Sequence, residues 1–158
     1  MLSAKREIMS AINEKYDLAT INQFSQNTLV AHLGIEFTAV GPDYLTARMP
    51  VDMRTVQPFG ILHGGASVVL AESLGSMASA CCVDLEKYAP VGLEINANHL
   101  RAVKSGYVYG TARPIHLGGR THVWDIRIED DQQRPVCVSR LTMMITERPR
   151  QDSASNRH

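Results

Sequence analysis

Between Thr55 and Val83 the chain carries one formally charged residue, Glu72, within His63-Gly64-Gly65-Ala66-Ser67-Val68-Val69-Leu70-Ala71-Glu72-Ser73-Leu74-Gly75-Ser76. Apolar and small residues fill nearly every other position, so a helix built from this run must be surrounded by protein rather than laid on a surface. Gly64-Gly65 opens that helix, and it closes at about Val83. The carboxylate is the exception. Three, four and seven positions away from it stand Val68, Val69, Ser76 and Ser79, so no charged neighbour shares its face. A carboxylate that loses hydration must be stabilised locally or change its pKa, and either condition suits chemistry better than structure.

The flanking sequence supplies what wraps such a helix. Residues 33–40 and 45–51 read as strands separated by the turn Gly41-Pro42-Asp43. Four more strand-like runs follow at 91–99, 107–116, 122–129 and 136–146, with turns at Lys104-Ser105-Gly106, Gly118-Gly119 and Asp130-Asp131-Gln132-Gln133. Short loops between consecutive strands mean antiparallel pairing. In the run from 91 to 99, Leu93, Ile95 and Ala97 alternate with Glu94, Asn96 and Asn98, so one face packs and the other is free. The expected architecture is α+β, one antiparallel sheet wrapped around one long central helix. Residues 1–26 form a peripheral helical extension, with helices at 3–16 and 18–24; 27–147 form the domain; and the polar segment 148–158 is a disordered tail.

Sixteen basic and sixteen acidic residues cancel without a block of either sign, which argues against a nucleic-acid or polybasic membrane surface. No run approaches the ~18 apolar residues of a membrane span, and Lys5, Arg6 and Glu7 interrupt any signal-like apolar stretch, so a cytoplasmic protein is expected. Cys81, Cys82 and Cys137 lack metal or redox spacing and read as buried thiols, while six histidines show no metal motif, so neither a metal nor a separate cofactor is expected.

Three phrases in order narrow the reading: Gln57-Pro58-Phe59-Gly60-Ile61-Leu62-His63-Gly64-Gly65 leading into the Glu72 helix, Val91-Gly92-Leu93-Glu94-Ile95-Asn96-Ala97-Asn98-His99, and Pro114-Ile115-His116-Leu117-Gly118. Together they resemble the hotdog-fold acyl-CoA thioesterases of the 4-hydroxybenzoyl-CoA type. Within that type the nearest groups are the bacterial 1,4-dihydroxy-2-naphthoyl-CoA hydrolases of menaquinone biosynthesis and the proofreading thioesterases of enterobactin synthesis. The likeness covers about residues 18–145. The segment before Asp17 is longer than that group implies, and the loop 83–90 reads differently.

Thioester hydrolysis needs a donor aimed at the developing oxyanion, and a carboxylate that attacks or activates water. Gly64 and Gly65 leave N–H groups bare at a helix N-terminus, and the resemblance gives the oxyanion role to the Gly64 N–H and the nucleophile or base role to Glu72. Glu72 lies eight residues beyond Gly64, about 12 Å along an ideal helix, too far for one small carbonyl centre. The family resolves this by facing Gly64 of one subunit with Glu72 of another, which implies a dimer and commonly a tetramer of two dimers. Gln57 is expected to donate to the thioester or orient the carboxylate. Ser76, at i+4, is expected within reach of the carboxylate or water, and His63 near the acyl group, or else as a helix cap.

The CoA moiety needs phosphate donors and an apolar wall. The resemblance places it at Gly92, at His99-Leu100-Arg101-Ala102 and at the turn His116-Leu117-Gly118-Gly119-Arg120-Thr121, with Arg101 and Arg120 as the phosphate candidates. Phe59, Ile61, Leu62, Val68 and Val69 suit a flat aromatic acyl group and also admit a medium aliphatic chain. Three readings compete with the naphthoyl-CoA one: a broad aryl or medium-chain acyl-CoA thioesterase, a hotdog hydratase or dehydratase, and a non-catalytic acyl-CoA sensor.

Overall fold

A computed structural model describes residues 11–148. The run expected to form the central helix does so as a helix from Gly64 to Cys81, opened by His63 as N-cap. Its buried positions, Ala66, Ser67, Leu70, Ala71, Leu74, Gly75, Ala78 and Ser79, recur at helical spacing and make one stripe. That stripe packs against one face of a six-stranded antiparallel sheet.

In chain order the elements are α1 (Leu18–Phe24), α2 (Leu29–His32), β1 (Glu36–Val40), β2 (Leu45–Pro50), α3 (Gly64–Cys81), β3 (Tyr88–His99), β4 (Tyr107–Leu117), β5 (Thr121–Asp130) and β6 (Pro135–Glu147). The sheet order is β1-β2-β4-β5-β6-β3. Leu70 and Leu74 of α3 meet Phe37, Leu45, Met49, Val108, Trp124, Ile126, Ile128 and Leu141 in the core, all buried. Helix and sheet seat leucine on glycine from both sides: a methyl on Gly75 would stand 2.5 Å from Leu141 Cδ2, and one on Gly110 2.6 Å from Leu74 Cδ1. At the far end of α3, Ser79 Oγ accepts from Trp124 Nε1 (2.7 Å) and meets His122 Nδ1 at 3.1 Å, tying helix to β5 through buried polar atoms.

Several expectations need correction. The central helix is not enclosed all round: Val68, Val69, Glu72, Ser73, Ser76 and Met77 are only half-buried, because the sheet covers one side. Residues 33–35 are not strand; Thr28 caps the short α2, and Gly34, at φ +70°, turns the chain into β1. The 3–16 helix falls partly outside the described residues, and 11–16 is not helical. Nor is that segment peripheral. Ile12 and Tyr16 are buried, the Ala11 and Ile12 N–H groups donate to Pro42 O, and Asn13 N–H donates to Cys81 O. The tail expected from 148 lies outside the described residues except for Arg148, whose N–H donates to Lys87 O.

β3 is the long edge of the sheet, twelve residues with β6 on one side and, among the described residues, no strand on the other. Its pairing with β6 shifts register between Gly92 and Glu94, so Leu93 is squeezed out of the alternation and is 57% exposed while Ile95 and Ala97 pack against the core. Val91 and Leu100 are also exposed. Among the described residues no helix is long and apolar enough to cross a membrane. Cys81 and Cys137 are buried and Cys82 half-buried; burial pushes the Cys81 thiol up to about 12, with Cys82 adding to it, and Cys82 to about 11.

Candidate active site

The helix N-terminus sets one half of the candidate site. His63 sits in extended backbone (φ −71°, ψ 129°), and its Nδ1 accepts the Gly65 N–H at 2.8 Å. This is the capping role, and it uses one of the bare donors. An imidazole that accepts at Nδ1 carries its ring proton on Nε2, so His63 keeps a donor for a ligand. Gly64 N–H has no hydrogen-bond partner among the described residues. Beside it stands His99, which reaches in from the end of β3; a methyl on Gly64 would lie 2.8 Å from His99 Nε2.

Gln57 arrives on the loop before α3. Val56 and Leu62 form an isolated bridge, Gln57 N–H donates to Ile61 O at 2.8 Å, and Gly60, at φ +76°, closes the turn. The Gln57 side-chain oxygen accepts from Phe59 N–H. The Gln57 NH₂ group has no hydrogen-bond partner among the described residues. Gln57, Gly64, His99, Leu100, Arg101 and Ala102, all singled out in the sequence, line one pocket of about 380 Å³ with Ile61, Leu62, Ser67 and Val136. Arg101 at its mouth makes no ion pair among the described residues.

Glu72 is not in that pocket. It sits two turns on, half-buried, with no hydrogen bond or ion pair among the described residues, and it lies against β3 where a methyl on Gly92 would stand 2.8 Å from Oε1. Ser76 shares the region, yet its hydroxyl donates to Met143 Sδ at 3.7 Å rather than to the carboxylate. The turn 116–121 belongs to this second region through β6: Thr121 pairs with Met144, and Met144 with Val91 of β3. Its backbone is less bare than expected, since Gly118 N–H donates to Thr121 O at 2.9 Å; the Gly119 and Arg120 N–H groups have no partner among the described residues.

One chain therefore holds two half-sites, a donor pocket at the start of α3 and a carboxylate at its middle, each against a different part of β3. Of the acyl-pocket residues expected from sequence, Ile61 and Leu62 line the pocket, Phe59 is 90% exposed, and Val68 and Val69 are absent from the lining. Ser67 and Val136 were missed. Ser67 was within reach of spacing, being one turn beyond Gly64; Val136 lies far off in sequence and is joined to the pocket by a tertiary contact, the Leu100 N–H donating to its carbonyl. Among the described residues no cluster of His, Cys, Asp or Glu is arranged for a metal.

Comparison with known proteins bears on this arrangement. The thioesterase superfamily matches residues 59–137. The 1,4-dihydroxy-2-naphthoyl-CoA hydrolase of Escherichia coli is 52% identical over 131 residues, 83% of this chain and 96% of that protein. A Pseudomonas aeruginosa protein, named only as a candidate esterase, is 58% identical over 137 residues, 87% of this chain and 94% of its own length. A glutamine-to-alanine mutant of a P. aeruginosa thioesterase superposes with a TM-score of 0.86 at 55% identity, covering 88% of this chain and 100% of that one. Two solved structures of a Staphylococcus aureus protein, a glutamate-to-alanine and a glutamine-to-alanine mutant, superpose with TM-scores of 0.74 and 0.73 at 41% identity, over 76% and 75% of this chain and 99% and 98% of theirs.

Proposed function

The chain belongs to the thioesterase superfamily and is a thioester hydrolase of hotdog fold, and from that premise we propose that it hydrolyses an aromatic acyl-CoA to the free acid and CoA. The lead substrate is 1,4-dihydroxy-2-naphthoyl-CoA, the step of menaquinone biosynthesis that the resemblance implies. The observation that carries the mechanism is the pair of unsatisfied groups on α3, the Gly64 N–H and the Glu72 carboxylate. The two positions mutated in the S. aureus protein lie fifteen apart, as Gln57 and Glu72 do here.

In this reading the working unit is a dimer made by antiparallel pairing of two β3 edges. A two-fold axis midway between Ile95 and Asn96 sets Gly92 of one chain opposite His99 of the other, which brings one chain's Glu72 beside the other's Gly64 pocket. The same axis brings the turn carrying Arg120 toward the second chain's Arg101, so both phosphate candidates serve one CoA. Pairing also covers Val91 and Leu93 and satisfies the open strand edge. The thioester carbonyl oxygen accepts the Gly64 N–H, with the Gln57 NH₂ and His63 Nε2–H as neighbouring donors. Glu72 then either attacks the carbonyl carbon or takes a proton from the attacking water. The C–S bond breaks and CoA leaves as thiolate and gains a proton; in the first route water then cleaves the acyl–Glu72 anhydride to release the acid and restore the carboxylate, and in the second the water already added becomes the acid's new oxygen and its proton passes through Glu72 to the thiolate.

Thiol release from 1,4-dihydroxy-2-naphthoyl-CoA, benzoyl-CoA and hexanoyl-CoA tests the reading. A kcat/KM at least about tenfold higher for the naphthoyl ester is expected. Equal rates on all three esters would favour the broad acyl-CoA thioesterase, and binding without thiol release would contradict hydrolysis.

A further inference from the structure

Glu72 has no tether. No hydrogen bond or ion pair among the described residues holds its carboxylate, so its position is set by what it packs against. The nearest surface is β3 at Gly92. A methyl there would stand 2.8 Å from Glu72 Oε1, whereas its next neighbours, Glu72 Cδ and Met143 Sδ, would be at an ordinary 3.9 Å. The missing side chain thus makes room for the carboxylate oxygen specifically. Backbone conformation does not explain the glycine, because the left-handed glycines are Gly34, Gly60 and Gly106. The register shift between Gly92 and Glu94 falls at the same point, and bulges characteristically re-aim local structure.

We infer that Gly92 is a positioning residue for hydrolysis, keeping open the space in which the Glu72 carboxylate is held, and this rests on the thioesterase reading above. An added methyl meets the far end of a flexible side chain. The fold therefore absorbs it by swinging the carboxylate aside, and the cost falls on the reaction, where a displacement of about 1 Å is worth up to about a hundredfold in rate.

The test is a double-mutant cycle on the full chain, read as kcat and KM for the acyl-CoA that the wild type cleaves fastest, with thermal unfolding and molecular mass alongside. Gly92→Ala is expected to lower kcat about ten- to a hundredfold, with KM, mass and unfolding midpoint nearly unchanged. Glu72→Asp draws the carboxylate back by one methylene and clears the methyl. On that background Gly92→Ala should cost less than about twofold. An equal loss on both backgrounds, a loss confined to KM, or an unchanged kcat in Gly92→Ala would overturn the positioning role while leaving the hydrolase reading standing. A wild type that releases no thiol from any acyl-CoA would overturn both.

Discussion

In the proposed mechanism Glu72 and Gly64 carry the chemistry, and each can be removed with little disturbance to the fold. Glu72→Gln keeps the shape of a side chain that has no partner among the described residues; kcat should fall at least about a hundredfold, about 2.7 kcal/mol of transition-state stabilisation, with the unfolding midpoint almost unmoved. Gly64→Pro deletes the donor and sets its ring against the His99 imidazole, the far end of a side chain that must give way, since a methyl there already stands 2.8 Å from His99 Nε2. Proline is favoured at the first helical position and wants an extended residue before it, which His63 provides at ψ 129°. Loss of one oxyanion donor should cost about 10²–10³ in kcat, while circular dichroism stays that of the wild type. The isolation of Glu72 was legible because a charge missing from every neighbouring helical position is a one-dimensional pattern. That His99 stands over Gly64 and Gly92 under Glu72 was not, since both contacts join residues far apart in sequence.

At the level of elements, the stripe on α3 carries much of the stability. Leu74 is fully buried against the sheet beside Gly110, so Leu74→Ala should destabilise by about 2–5 kcal/mol in denaturant titrations at fixed protein concentration. Ser79, Trp124 and His122 add a pH dependence. Burial, then the charge of nearby His116, hold the His122 imidazole below its ordinary range against the hydrogen bond to Gly118. The unfolded chain therefore takes up a proton at a higher pH than the folded one. Stability is full above about pH 6.5 and declines as pH falls toward the folded pKa. The melting temperature should drop between pH 7 and 5, and His122→Gln should flatten that slope. Strand and helix periods were readable from local pattern, as α3 and β4 to β6 attest. The N-terminal segment was misjudged because Ile12 and Tyr16 are buried in the core and residues 11–13 donate to Pro42 and to Cys81 at the end of α3, contacts that no local period encodes.

For the whole molecule, helix rise sets Glu72 about 12 Å from Gly64, too far for one small carbonyl centre, and the resemblance implies a second chain. In the proposed dimer the means is β3, whose twelve-residue edge meets one half-site at Gly92 and the other at His99 and leaves Val91 and Leu93 exposed. The pocket wall at Val136 and the shared region of Arg120 and β3 depend on sheet order, which the strand pattern leaves open. The central claim, that each active centre takes its donor from one subunit and its carboxylate from the other, is tested by complementation. Glu72→Gln and Gly64→Pro chains, each inactive alone, are co-expressed with different affinity tags and the mixed dimer is isolated. It contains one centre with both groups intact and one with neither, so thiol release at about half the wild-type rate per dimer is expected. A mixed dimer as inactive as its parents would contradict the account, because Glu72 would then be serving the Gly64 of its own chain.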